Sequence, residues 1–209
     1  MIIDSSQLNQ FENRYRAILI NSLAGIKQAF LIGTKSLDGN SNVAIFNSLV
    51  HIGANPPLWG FICRPDTVQR DTLRNILETG QYTLNMIHKD HSENAHQTSA
   101  KYPSNVSEFE ACGFTERIIE PFTAPFVEEA PIKIGMKFEE KIDIAINGTL
   151  LIIGSIQYIE LDEQWLSDDG FIDVAKANTL TCAGLDAYYE NKLLHRLSYA
   201  KPEKWPSKI

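Results

Sequence analysis

Three cysteines in 209 residues, Cys63, Cys112 and Cys182, are too few, too scattered and odd in number to build a disulfide framework. Their neighbours are apolar or small rather than other metal ligands, so they read as buried free thiols of a reducing compartment. A cationic excess is missing too. With 19 Lys and Arg against 26 Asp and Glu the chain carries -7 at pH 7, which repels polyanions and argues against nonspecific binding to nucleic acid or anionic lipid. No apolar run approaches membrane-spanning length, because Gly, Asn or Lys interrupts each candidate. The start, Met1-Ile2-Ile3-Asp4-Ser5-Ser6, has no basic stretch followed by an apolar one, so no secretory signal is expected. These absences predict a cytoplasmic protein that leaves membranes and nucleic acid alone.

Several chemistries lack their signatures. No Gly-x-Gly-x-x-Gly follows a strand, which argues against a Rossmann dinucleotide site. Gly154-Ser155-Ile156 lacks the second glycine of a nucleophile elbow and sits in a strand pattern, where it marks a bulge or close packing. His88, His91 and His96 lie on a polar stretch without matching Cys or carboxylate geometry, and His51 stands apart, so no metal is predicted. Asp168-Asp169-Gly170 is a solvated turn, since the remaining ligand spacing of a calcium loop is missing. There is no internal repeat and no low-complexity tract.

What the chain has is apolar content, 44% of its residues, arranged mostly as strands. Ser5 and Ser6 look like caps for an opening helix over Gln7 to Arg16, inside an N-terminal segment 1–20. After Gly25, Ala29 to Thr34 is a buried strand, Leu37-Asp38-Gly39-Asn40 a hairpin turn, and Asn42 to Ile52 the returning strand. Asn55-Pro56-Pro57 ends that strand and delivers Leu58 to Cys63 as the next. Asp71 or Thr72 caps a helix to about Glu78, Gly80 stops it, and Tyr82 to Ile87 is again a strand. Lys89 to Tyr102 is a candidate helix in a weakly patterned middle third, a candidate lid or dimer contact. Ile132 to Ile146 and Thr149 to Leu161 form a second hairpin about Asn147-Gly148. Residues 200–209 read as a loose arm that Trp205 can anchor, and Trp59 and Trp165 as core or interface residues. Antiparallel strands with a few interposed helices predict one mainly β domain over 1–209, a closed or split barrel.

One constellation suggests an anion site. Polar residues from Asn42 to Ser48 lie on the second strand, Arg64 closes the third, and Arg70 with Thr72 stands at a helix mouth, where a phosphate dianion is favoured. A nucleotide-like cofactor is the economical explanation. Arg70 can offer a phosphate two charge-assisted hydrogen bonds, or pair with Asp66 or Asp71 at the surface. Thr72 can donate to the same phosphate or cap the helix; Asp71 would repel it and reads as a cap or an arginine orienter. Arg64, before Pro65, is either a ligand or an exposed strand end. Asn75 reads as a structural hydrogen-bonder. Asn47 and Ser48 sit in an otherwise apolar strand and need partners if buried.

Taken in order, Asp38-Gly39, Asn42-Val43-Ala44-Ile45-Phe46-Asn47-Ser48, Asn55-Pro56-Pro57-Leu58, Arg70-Asp71-Thr72-Leu73-Arg74-Asn75-Ile76 and Tyr82-Thr83-Leu84-Asn85 resemble the flavin reductase-like family of FMN-binding split barrels, flavoredoxin-type proteins included. The similarity runs from about Asn21 to Tyr189. One departure is Lys27-Gln28, where many relatives carry Arg-Pro. The resemblance implies an FMN-binding split β-barrel, typically a homodimer, with FMN, or else FAD, near the dimer interface. It implies that Phe46, Asn47, Ser48 and Leu49 line the isoalloxazine and ribityl groups and that Arg64, Arg70 and Thr72 surround the phosphate. Thr98 and Ser99 belong to a segment that borders the flavin in the family, or to an ordinary helix surface. The implied reaction is hydride transfer from NAD(P)H to flavin without a catalytic acid or base. The alternative is a flavoredoxin-like carrier that exchanges electrons with a redox partner protein and has no NAD(P)H site.

Overall fold

A computed structural model describes residues 1–65 and 70–209. The chain opens with two helices, α1 (Ser5–Gln10) and α2 (Asn13–Leu23), in place of the single helix expected over Gln7 to Arg16. The cap of α1 is Asp4, not Ser5 or Ser6: its carboxylate accepts the Gln7 N–H at 2.9 Å, and the Gln7 side chain accepts the Asp4 N–H at 3.0 Å. This reciprocal box satisfies two orphan donors at once. Phe11 then turns extended, and the Glu12 carboxylate caps α2 through the Tyr15 N–H.

The body comprises β1 (Lys27–Gln28), β2 (Phe30–Lys35), β3 (Ser41–Phe46), β4 (Leu49–Ala54), β5 (Pro57–Cys63), α3 (Asp71–Thr79) and β6 (Gln81–Met86). There follow α4 (Ser92–Gln97), α5 (Glu108–Ala111), β7 (Glu116–Arg117), β8 (Phe126–Val127), β9 (Lys133–Ile144), β10 (Thr149–Glu160), β11 (Leu180–Ala183) and β12 (Ala187–Glu190). Seven strands form one antiparallel sheet in the order β3-β2-β6-β9-β10-β5-β4. Its two edges, β3 and β4, are neighbours in sequence, separated only by Asn47 and Ser48. Laid flat, seven strands at the usual spacing would hold these edges about 29 Å apart, whereas the step from Phe46 to Leu49 reaches only about 10 Å. The sheet must curl until its edges meet. The expected single strand over Asn42 to Ile52 is therefore two strands broken at the seam. Register shifts at Ile153/Gly154 and Ile156/Tyr158 in β10 and at His51/Gly53 in β4 help bend the sheet.

Strand alternation explains the continuous burial of β2. Phe30 and Ile32 join a cluster with Phe61, Tyr82, Leu84, Met136 and Ile152, into which α3 packs Leu73 and Ile76. Ala29 and Leu31 join the opposite cluster with Val43, Ala95, Phe109, Cys112, Phe114 and Leu180. The weakly patterned middle third thus covers the outer face of β2 and β3 with buried aromatics, which a lid would not do. Gly80, with φ +70°, ends α3 as expected, and Asn147-Gly148 turns the β9–β10 hairpin. β1, β11 and β12 form a separate three-stranded sheet.

Cys63, Cys112 and Cys182 are all buried. In the C-terminal arm Trp205 is 91% exposed, while the Arg196 guanidinium pairs with Asp169 and lies 4.2 Å over the Phe171 ring. No helix among the described residues is long and apolar enough to cross a membrane.

Candidate functional site

The seam between β3 and β4 holds four of the residues singled out in the sequence. Phe46 is half-buried and meets Phe61 edge to face, with ring centroids 5.2 Å apart. Asn47 and Ser48 lie outside the ladder, and both direct their side chains into the protein. The Asn47 amide donates to the Gly184 carbonyl at 2.9 Å and approaches the Cys182 sulfur at 3.5 Å. The Ser48 hydroxyl donates to the Ile62 carbonyl at 3.0 Å and accepts the Ile62 N–H at 3.1 Å, stitching the seam to β5. The polar side chains that need partners find them here in protein atoms. Leu49 pairs with Phe61 as β4 begins.

The helix mouth is built differently from either cap expected of it. Arg70 is the N-cap residue of α3 in extended conformation, and no side chain caps the helix. Asp71 does not cap the helix but does hold an arginine, Arg74 rather than Arg70: its carboxylate pairs with Arg74 at 2.9 Å and accepts from Ser104 at 3.3 Å. Asp66, the other expected partner of Arg70, lies outside the described residues. The Arg70 Nε is buried with no hydrogen-bond partner among the described residues. A buried guanidinium N–H without an acceptor, beside an uncapped helix N-terminus, is an arrangement that an anion would complete.

Thr72, behind this mouth, is buried and accepts from the Asn42 amide at 3.0 Å, which leaves its own hydroxyl hydrogen to donate. Asn42 also reaches Thr34 at 3.2 Å, and Asn75 donates to the same Thr34 oxygen at 3.1 Å. Asn75 is thus structural, as expected. This buried network ties α3 to β2 and β3, and β3 runs from the helix mouth at Asn42 to the seam at Phe46, about 13 Å of strand. Arg64 is exposed just past the end of β5, two residues from the Ile62 that Ser48 grips.

Thr98 and Ser99 follow α4. The Thr98 hydroxyl is 4% exposed and fully used, accepting the Ile45 N–H at 3.0 Å and donating to the Ala95 carbonyl at 2.8 Å. Ser99 is exposed. Sequence reasoning did not anticipate Cys182, Gly184 and Tyr188, which support the seam from outside, nor that His96, in the segment with Thr98 and Ser99, meets Tyr188 there. Burial pushes the Cys182 thiol up despite its Asn47 contact, and pushes the Tyr188 phenol up to about 12. Only the polar Asn47 in an apolar strand hinted that something must come to meet it.

The chain belongs to the flavin reductase-like family: residues 26–176 match the model of the flavin reductase like domain. A split-barrel protein of Shewanella frigidimarina, assigned as a flavin reductase, is 46% identical, with a TM-score of 0.92 over 96% of this chain and all of that one. The flavoredoxin of Desulfovibrio vulgaris is 26% identical, with a TM-score of 0.70 over 85% of this chain and 91% of its own. An uncharacterised protein of Halalkalibacterium halodurans is 30% identical over 176 residues, 81% of this chain and 83% of the relative. The mainly β architecture is that of the split barrel, as the sequence predicted.

Proposed function

We propose that this protein is an FMN-binding oxidoreductase that transfers hydride from NAD(P)H to flavin, with residues 1–209 acting as one functional unit. The observation that carries the reading is the Arg70 Nε, buried without a partner among the described residues at the uncapped N-terminus of α3. A terminal phosphate would supply the missing acceptor and meet the positive end of the helix. Thr72 would donate its free hydroxyl hydrogen to the phosphate, and Arg64 would close over it from the end of β5.

β3 then leads from the phosphate to the seam, a span suited to an extended mononucleotide. There Phe46 and Leu49 would bound the ring on its apolar side. Asn47 and Ser48 would act through the backbone, because their side chains are committed to Gly184 and Ile62. Thr98 borders the same strand through Ile45, and Ser99, next to it and exposed, would reach the flavin from solvent. When bound, the flavin supplies a hydride acceptor at N5 for a dihydronicotinamide. The chain holds the flavin in place, leaves one face open and excludes water; no acid or base is required of it.

FAD would place the same first phosphate at Arg70. A homodimer is supported by apolar exposure that a monomer leaves uncovered: no residue of α2 is buried, and Leu23, Leu194, Tyr199 and Trp205 are exposed. The protein would work in the cytoplasm and pass electrons on to a redox partner protein.

The test is direct. The purified protein should titrate with FMN to give a yellow complex that NADH or NADPH bleaches in the absence of oxygen. Arg70→Ala should weaken FMN binding by about 2–5 kcal/mol, because it strips a desolvated charge from its phosphate partner. Wild-type affinity in that variant would remove Arg70 from the site. A yellow complex that neither nicotinamide bleaches, but that an electron-transfer protein reduces, would favour the flavoredoxin-like alternative, which the likeness to the Desulfovibrio vulgaris protein supports.

A further inference from the structure

Two separate elements grip the seam segment from the face opposite Phe46. From the end of α4, the buried Thr98 hydroxyl accepts the Ile45 N–H at 3.0 Å. Ile45 lies on the edge strand β3, so Thr98 stands where a further strand would otherwise pair. From the β11–β12 hairpin, the Gly184 carbonyl and the Cys182 sulfur receive the Asn47 amide. Phe46, between these two gripped residues, faces the barrel cluster, whereas Ile45 packs with Tyr188 in the outer cluster.

These grips meet in one hydrogen bond. His96 lies two residues before Thr98, and Tyr188 is the cross-strand partner of Cys182. The Tyr188 hydroxyl lies 2.9 Å from His96 Nδ1, with the two rings nearly perpendicular. The buried phenol keeps its proton, and which of the two groups donates follows the tautomer of the imidazole. Among the described residues no other hydrogen bond joins α4 to the hairpin; the two otherwise share the apolar packing of the outer cluster and, just before α4, the Lys89–Glu190 ion pair.

Resting on the FMN-binding reading, we infer that the His96–Tyr188 hydrogen bond is a clasp that locks α4 and the β11–β12 hairpin behind residues 45–47 and so pre-organises the flavin-lining segment. Both are positioning residues. Their effect on flavin is indirect, through the ordering of a segment that would otherwise be ordered at the expense of binding free energy.

Tyr188→Phe and His96→Ala, singly and together, test this with two readouts. In flavin-free protein, amide hydrogen exchange at Ile45 to Ser48 should speed up in each variant while exchange in β9 and β10 stays as in wild type. In titrations, each single variant should bind FMN roughly 3- to 10-fold more weakly, the range set by one net hydrogen bond, and the double variant should be no weaker than the worse single one. His96 is exposed, so its variant keeps the test open if Tyr188→Phe folds poorly. Wild-type exchange in the segment, wild-type FMN affinity, or additive losses would overturn the clasp. Failure of the wild-type protein to bind FMN would instead overturn the functional reading, and faster exchange in the same variants would show which of the two had failed.

Discussion

Tyr82 is fully buried, yet its hydroxyl has no hydrogen-bond partner among the described residues. Burial pushes the phenol well up, with the neighbouring Cys63 adding to the effect, so the group stays neutral. Across the cluster, a Cβ placed on Gly154 would collide with that hydroxyl and with the Lys137 carbonyl. The sequence reading of Gly154 as a bulge or a close-packing position proves right on both counts, since the register of β10 against β9 shifts there. The cost of an unsatisfied buried hydroxyl and the cost of overpacking then act at one spot. Tyr82→Phe should leave stability unchanged or raise it by up to about 2 kcal/mol, because it deletes a stranded polar group. Gly154→Ala should lower stability by about 1–3 kcal/mol, and Tyr82→Phe should recover part of that loss. Urea denaturation of the three variants measures all of this; full additivity would mean the clash lies elsewhere.

At the level of elements, what was legible in the sequence had a local cause. Gly80 stops α3 because the left-handed conformation suits glycine, and Asn147-Gly148 turns its hairpin for the same reason. The break in β3–β4 was not legible. Residues 42–52 have continuous strand character, and only closure of seven strands decides that Asn47 and Ser48 leave the ladder. The opening helix was misjudged for a more local reason, because Asp4 with Gln7 and Glu12 with Tyr15 make two competing starts. The same distinction applies to the candidate site. Arg70 was legible from its place at a helix mouth, whereas the partners of Asn47 come from residues 182–184, far along the chain. Ser48 gives the element-scale test. Its hydroxyl satisfies both the N–H and the carbonyl of Ile62, so Ser48→Ala should cost about 1–3 kcal/mol by stranding them. Exchange of the Ile62 amide should rise in that variant; unchanged protection would show that the seam closes without the hydroxyl.

For the molecule as a whole, the question is what keeps the last residues on the barrel. The sequence suggested Trp205, the largest apolar side chain of the arm, but contact at such distance follows no periodicity, and the tether is Arg196 on Asp169 and Phe171. The Arg196 hydrogen bond holds the Asp169 carboxyl below the usual carboxylate range, with help from the Phe171 N–H. A depressed folded-state pKa contributes stability that is fully present above the unfolded value, near 3.9, and fades as pH falls through the lower folded value. The arm should therefore stay docked at neutral pH and loosen below about pH 4, with high salt weakening an ion pair so exposed. Acid also protonates Glu160, whose carboxyl burial would push up but which Tyr158, Lys133 and Arg117 together hold down, so acidification alone does not isolate the arm. Asp169→Asn at pH 7 does. Tryptic cleavage after Lys204 should accelerate several-fold in that variant while the barrel stays protected. Arg196→Lys should fall between it and wild type, since an ammonium keeps the charge but loses the fork and the planar face over Phe171. Equal cleavage in all three proteins would mean that the arm is held by some contact other than this pair.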